Sequence, residues 1–511
     1  MNIKRAKEEI IDAIEAYLLK DEYGDYVIPV IHQRPILLLG APGIGKTQIM
    51  EQIARQCNIA LVAYTITHHT RQSAIGLPFV AKETFQQKSY TITEYTMSEI
   101  VASLYSKMEK TGLMEGILFI DEINCVSETL APAMLQFLQY KSFGNHQIPP
   151  GWIIVAAGNP PEYNRSVREF DLVTMDRVKK IEVEPDFDVW KEYAIDAAVH
   201  PAILAYLNTK PLNFYQMETT VDGKFFATPR GWEDLSRMLC VYEKLSKKMD
   251  QEVVVQYIQY PQIAKDFANY LELYEKYEAD YQIDEVFQGN IPDILIQKTA
   301  HASFDEKLSL IGLLLARCSN GFRDYCGQED YLSMLHGTVL RAKELLYSEQ
   351  DMFGLTLMVD VLQALVRERE DRMKSELLTQ EEKRTRLKVE DFWEKAIIRL
   401  RLEAGRTGEE QDKSSHDQIY ELLKKRFAVE KEGYDAAWAR AGENLEHAFD
   451  FLEAAFGTGQ ELVIFLTELN RNRQSLRFLE SYDCERYYWY NKELLYEDRS
   501  RALLRKLEEL S

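Results

Sequence analysis

The sequence predicts an α/β fold, a five-stranded parallel sheet with helices on both faces, followed by a helical region and a large all-α C-terminal extension. Three observations carry that reading. An apolar run, Ile36–Leu39, leads into Gly40-Ala41-Pro42-Gly43-Ile44-Gly45-Lys46-Thr47 and then a helical stretch to Cys57; strand, glycine loop and helix start are the context of a phosphate-binding loop. A second apolar run, Ile117-Leu118-Phe119-Ile120, ends in Asp121-Glu122, and ligands of open α/β sheets bind at such strand ends. Beyond Pro185 strand signals almost vanish and helical periodicity takes over.

Each element follows in order. Residues 3–20 read as an amphipathic helix with Ile10, Ile14 and Leu18 on one face. The first strand is 36–39 and the helix behind the loop covers 47–57. A second strand, 59–66, is rich in β-branched and aromatic residues. Residues 67–96 form an insertion, and the alternation over Tyr90-Thr91-Ile92-Thr93-Glu94-Tyr95 suits a hairpin. A helix over 97–111 precedes the acidic strand and another, 127–140, follows it. The polar loop 142–151 leads to a fourth strand at 152–157, and a fifth lies at 180–183. This βαβ rhythm implies a parallel sheet covered by helices.

The C-terminal part reads as helix throughout. Ser303 and Glu306 make a capping box, after which Phe304, Leu308, Ile311 and Leu315 line one face. Tyr434, Trp438, Ala441, Leu445, Ala448 and Leu452 recur at alternating spacings of four and three, which suits a long helix stopping near Gly457. The charge-dense stretch 366–412 reads as a solvated helix surface. Residues 408–415 read as a flexible loop.

The chain has 511 residues, enough for several domains, with 46% apolar and 28% charged residues, an ordinary globular composition. A net charge of -21 argues against broad binding to a phosphate backbone, which needs basic patches. The first residues lack the apolar core of a signal peptide, and no apolar run approaches a membrane span. Six cysteines, at 57, 125, 240, 318, 326 and 484, are scattered without C-x-x-C spacing; they read as reduced packing residues of a cytoplasmic protein.

The chemistry concentrates in the first part of the chain. Glycines let backbone N–H groups turn around an anion, and the helix start adds partial positive charge. Lys46 can reach the β- and γ-phosphates of a nucleotide, and the Thr47 hydroxyl can ligate Mg²⁺. Asp121 would hold that ion through water, since Mg²⁺ keeps much of its hydration shell. Glu122 can take a proton from an attacking water. Asn159, in Gly158-Asn159-Pro160, can orient water or touch the γ-phosphate. Arg177 lies before the fifth strand, and Arg230 lies in Ala227-Thr228-Pro229-Arg230-Gly231-Trp232; guanidinium groups stabilise charge on a transferring phosphoryl group. Taken singly, such an Asn or Arg is more often a cap or a surface ion pair.

Other motifs have blander readings. His68-His69 lacks a third ligand at useful spacing and reads as a polar loop end. Cys125 reads as a small filler, having no His partner nearby in sequence. The crowd of Tyr482, Tyr487, Tyr488, Trp489 and Tyr490 reads first as helix-bundle packing and second as a partner surface.

Taken together, the series resembles the AAA+ ATPases, and within them the MoxR-like branch. Gly40–Thr47 matches Walker A, with Gln48 continuing the nucleotide-binding segment. Ile117–Glu122 matches Walker B, Asn159 sensor 1, Arg177 the arginine finger and Arg230 sensor 2. The insertions at 67–96 and 141–151 resemble the helix-2 and pre-sensor hairpins of this branch. The resemblance covers residues 1–250. It departs from the family at Val178, where Phe is frequent, and Arg168 competes with Arg177 for the finger role. It implies a core at 1–185, a helical lid region at 186–300 and a helical extension at 301–511. By the same resemblance the chain would hydrolyse ATP with Mg²⁺ as a homo-hexamer, remodelling or activating a protein substrate beside a protein with a von Willebrand factor A (VWA) domain. A nucleic-acid-associated motor or restriction-type NTPase, and a nucleotide-gated scaffold of low turnover, stay open as alternatives.

Overall fold

The computed structural model describes residues 1–68, 71–85, 88–143, 146–162, 170, 172–220, 223–348, 353–407 and 416–493. It divides into two compact units. The first comprises Met1–Val189 with Thr228–Arg230 and Glu370–Leu378, and the second comprises the remainder.

The first unit opens with α1 (Ile3–Leu18), whose N-terminus is capped by the Asn2 side chain accepting from Arg5 N, and which buries Ala6, Ile10, Ala13 and Ile14. In chain order there follow β1 (Ile36–Gly40), α2 (Lys46–Cys57), β2 (Ala60–Thr65), α3 (Arg71–Ile75), β3 (Pro78–Phe85), β4 (Lys88–Tyr95), α4 (Glu99–Thr111) and β5 (Gly116–Asp121). Then come α5 (Ala131–Tyr140), β6 (Ser142–Phe143), β7 (His146–Gln147), β8 (Trp152–Gly158), α6 (Leu172–Met175) and β9 (Lys179–Val183). The five strands of the sheet lie in the order β2-β5-β8-β1-β9. All four pairings are parallel, with Ile36 opposite Val155, Leu38 opposite Ile181 and Ile120 opposite Ala156. Every residue of β8 is buried, as is nearly all of β1 and β5. A strand covered on both faces has no solvent side, which is why these segments read as unbroken apolar runs.

The sheet order decides where the chemistry gathers. β8 lies between β1 and β5, so the segments leaving the three carboxyl-terminal ends are neighbours in space although distant in sequence. The insertion forms the expected hairpin, β3 against β4 with Pro78 opposite Tyr95. A small second hairpin pairs β6 with β7, and Phe143 there stacks on Phe137 of α5, with ring centroids 3.9 Å apart.

Beyond β9 the chain runs through α7 (Phe187–Asp196), α8 (Pro201–Thr209), β10 (Gln216–Thr220), β11 (Gly223–Ala227), α9 (Pro229–Lys244), α10 (Gln251–Tyr257), α11 (Pro261–Asp280), α12 (Ile283–Val286) and α13 (Asp293–Ala300). In the second unit Tyr206, Trp232 and Phe267 pack as an aromatic trio with centroids 5.2–5.8 Å apart. Long helices follow: α14 (Phe304–Ser348), α15 (Gly354–Lys374), α16 (Gln380–Thr407) and α17 (His416–Phe456), then α18 (Gln460–Arg471) and α19 (Arg473–Ser481). α14 runs along α17, and Tyr331, Leu335, Val361, Phe392, Trp393 and Leu423 are buried in one cluster between the long helices. Among the described residues, no helix is long and apolar enough to cross a membrane.

Two expectations are corrected. The region after Pro185 is not purely helical, because β10 and β11 form an antiparallel hairpin with Gln216 opposite Ala227. Its strands are five residues each and barely alternate, which left Asp222-Gly223 as the only turn signal. The capping box at Ser303 is half formed: Ser303 Oγ accepts from Glu306 N at 3.4 Å, but the Glu306 carboxylate accepts from Tyr281 Oη at 2.7 Å. The 408–415 segment lies outside the described residues.

Of the aromatic crowd near the end, Tyr487 and Tyr490 are buried and Tyr482 stacks on Phe478 at 5.0 Å. Tyr488 and Trp489 are about half exposed, although Tyr488 Oη donates to Leu479 O at 2.9 Å.

Candidate functional site

The loop between β1 and α2 owes its course to two glycines. Gly43 (φ 77°) and Gly45 (φ 93°) lie in the left-handed region, which a side chain would strain; Gly45 is also the residue from which α2 starts. Ala41 and Ile44 are buried, Pro42 is half-buried, and Gln48 is exposed on the first turn of α2.

Lys46 is only 8% exposed. Its Nζ donates to Gly40 O at 2.7 Å, Ala41 O at 2.8 Å and Asn159 Oδ1 at 2.9 Å, which uses all three ammonium hydrogens. Burial pushes the amine down to about 8; nearby Asp121 opposes that shift, Arg230 adds to it, and Glu122 opposes it more weakly.

At the neighbouring strand end, Thr47 Oγ1 donates to Asp121 Oδ2 at 3.1 Å, while Asp121 Oδ1 accepts from Glu122 N at 2.9 Å. Hydroxyl and carboxylate oxygens held together in this way are the hard donors that suit Mg²⁺, an ion that takes one or two protein ligands and fills the rest of its shell with water and phosphate oxygens. Glu122 has φ 57°, a left-handed conformation uncommon for a residue with a Cβ and concentrated at functional sites. Its Oε2 accepts from Thr67 Oγ1 at 3.0 Å.

Six of the sequence-derived residues therefore meet at one edge of the sheet: Lys46, Thr47, Asp121, Glu122, Asn159 and Arg230. Arg230 joins through its backbone, its N–H donating to Gly43 O at 3.3 Å, and its side chain is exposed. Arg177 does not join them. It is exposed, its backbone N–H bonds Thr174 O, and among the described residues its guanidinium makes no hydrogen bond or ion pair with the six. Arg168 and His69 lie outside the described residues, as does the side chain of His68. Cys125 is a half-buried thiol. No cluster of three or more His, Cys, Asp or Glu with metal-binding geometry occurs among the described residues.

Sequence reasoning missed two residues. Thr67 reaches Glu122 because β2 pairs with β5, bringing Thr65 opposite Asp121. Asn124, 4% exposed, holds the backbone of Asn159 on both sides: its Nδ2 donates to Asn159 O at 2.7 Å and its Oδ1 accepts from Asn159 N at 3.3 Å. The one available signal for Asn124 was its place three residues after Asp121.

Comparison with known proteins bears on this edge of the sheet. Residues 35–178 match the family model described as AAA domain (dynein-related subfamily). Among solved structures, a mutant of RuvB from Thermotoga maritima is similar at 16% identity, covering 51% of this chain and 69% of that chain, with a TM-score of 0.27. No curated protein matches the chain. The parallel sheet, its glycine loop and the family match identify an AAA+ domain in this chain, followed by a large helical C-terminal region.

Proposed function

We propose that the chain is a MoxR-like AAA+ ATPase that hydrolyses ATP to remodel or activate a protein partner, assembled as a homo-hexamer and paired with a VWA-domain protein. One observation carries the catalytic half: Lys46 bonded to Asn159, beside Thr47 bonded to Asp121, with Glu122 adjoining. An amine, a hydroxyl–carboxylate pair, a base and an amide at one strand edge are the groups that phosphoryl transfer to water requires.

In this reading the triphosphate lies along Gly40–Gln48 with Lys46 against the β- and γ-phosphates. Thr47 and Asp121 would hold Mg²⁺, Asp121 through water; once bound, the ion neutralises phosphate charge and orients the leaving group. Glu122 accepts a proton from water as its oxygen bonds to the γ-phosphorus, and the bond from phosphorus to the β,γ-bridging oxygen breaks to release ADP. Asn159, with Oδ1 engaged by Lys46, keeps Nδ2 to orient that water or the γ-phosphate. Arg177 of a neighbouring subunit and Arg230 of the same chain stabilise the equatorial charge. The partner half is supported by acidity, since a net charge of -21 suits proteins better than polyanions.

The test separates binding from chemistry. Glu122→Gln should bind ATP as tightly as wild type and turn over about 10²- to 10⁴-fold more slowly, the usual contribution of a general base. Lys46→Ala should lose nucleotide binding. Equal turnover of wild type and Glu122→Gln would remove Glu122 from its role. Held with ATP, Glu122→Gln should retain a protein identifiable by mass spectrometry and release it in ADP, because a partner preferring the ATP state binds that state more tightly. Recovery of mainly nucleic acid, weakened by salt, would replace the remodelling reading with the motor reading.

A further inference from the structure

The pairing of β5 with β8 ends at Ile120 opposite Ala156, and at Glu122 the backbone turns through a positive φ. The contact between the two segments nevertheless continues. Ile123 N donates to Ala157 O at 2.9 Å. One residue further, the Asn124 carboxamide takes over what backbone would do in a ladder, donating to Asn159 O at 2.7 Å and accepting from Asn159 N at 3.3 Å. We infer that Asn124 is a positioning residue: its buried carboxamide clamps the peptide of Asn159 and so holds Asn159 Oδ1 against Lys46 and its amide toward the transferred phosphoryl group. This rests on the ATPase reading above.

The chemistry of the clamp is selective. A carboxamide carries its donor and its acceptor on two separate atoms of a short stem, so it can engage the N–H and the C=O of one residue together. An aspartate of the same shape would oppose a carboxylate to Asn159 O. A leucine would take these partners from two part-buried backbone groups, which is costly. The backbone beside Asn159 is shaped to the clamp: a Cβ at Gly158 would fall 2.6 Å from Asn124 Oδ1 and 2.8 Å from its Cγ, so the absence of a side chain at 158 admits the amide. Asn124 also lies in the segment that carries Asp121 and Glu122, so one side chain fixes the spacing between the base and Asn159.

The experiment is a kinetic cycle on the full-length protein with ATP and Mg²⁺. Asn124→Leu and, as a second variant, Asn124→Asp are each made alone and with Asn159→Ala. A displaced Asn159 should lower kcat by about 10²-fold, the cost of a misplacement near 1 Å, with KM and the affinity for a fluorescent ATP analogue within about twofold of wild type. Retained affinity shows that the variants fold. The double variants should be no slower than Asn159→Ala alone, since Asn124 acts through that residue; a generally disruptive substitution would add its own loss. Unchanged kcat in a variant that binds nucleotide, or additive losses in the cycle, would overturn the inference while leaving the ATPase reading intact. Loss of nucleotide binding in both variants would also overturn it, assigning Asn124 to the fold alone. Absence of turnover in wild type would overturn both.

Discussion

Glu122 is held by two different restraints, and they predict different things. Its backbone is fixed by a positive φ and by its N–H on Asp121 Oδ1, whereas its side chain is engaged by the Thr67 hydroxyl. In the proposed reaction, a carboxylate oxygen occupied by that hydroxyl is kept from the water it would activate. Thr67→Val removes the donor with little change of shape. Basal turnover should rise about fivefold, the equivalent of one hydrogen bond of about 1 kcal/mol, with KM unchanged. Steady-state ATPase assays check this, and turnover equal to or below wild type would show that Thr67 does not restrain the base. Lys46, Thr47, Asp121 and Glu122 were legible in the sequence because each belongs to a contiguous motif whose spacing follows from one strand and its loop. Thr67 and Asn124 were not, because their partners are set by which strands are neighbours, and strand order leaves no local mark.

At the scale of elements, long apolar strands and amphipathic helices could be read, whereas short two-sided ones such as β10 and β11 could not. α5 shows how an element end can carry a cost that no periodicity reveals. Its last turn closes on Lys141 at φ 53°. That lysine is 8% exposed, and its Nζ donates to Val30 O at 2.7 Å, tying the helix end to the segment before β1. Burial pushes the amine down to about 8 from its ordinary 10.5. Between those values the unfolded chain binds a proton that the folded chain has released, so this group makes the fold more stable as pH rises through the window. Lys141→Met has no such dependence. The melting temperature of wild type relative to Lys141→Met should therefore rise between pH 8 and pH 10, and be level from pH 6 to pH 7.5. Scanning calorimetry across that range checks it, and a constant difference would mean that Lys141 keeps its proton in the fold.

For the whole molecule, the proposed role of Arg177 in a neighbouring copy's site is tested by subunit mixing; Arg177 is exposed, and among the described residues its guanidinium makes no bond with the six residues at the sheet edge. Under the proposed ring assembly, the neighbouring copy would supply that arginine across a heterologous contact, which closes into a ring where its rotation allows. The consequence can be tested without knowing the ring size. Arg177→Ala should bind ATP and lose hydrolysis, as should Glu122→Gln, because in either homomer every interface lacks one group. In a mixture of the two, an interface is complete wherever an Arg177→Ala subunit supplies Glu122 and its neighbour supplies Arg177. Random assembly at equal amounts makes about a quarter of the interfaces complete in a closed ring of heterologous contacts, so turnover should recover toward about that share of wild type. If the finger acted within its own chain, each polypeptide would stay broken and mixing would restore nothing. No recovery in samples shown by mass spectrometry to exchange subunits would therefore remove Arg177 from the trans role. Recovery with Arg168→Ala in its place would assign that role to Arg168.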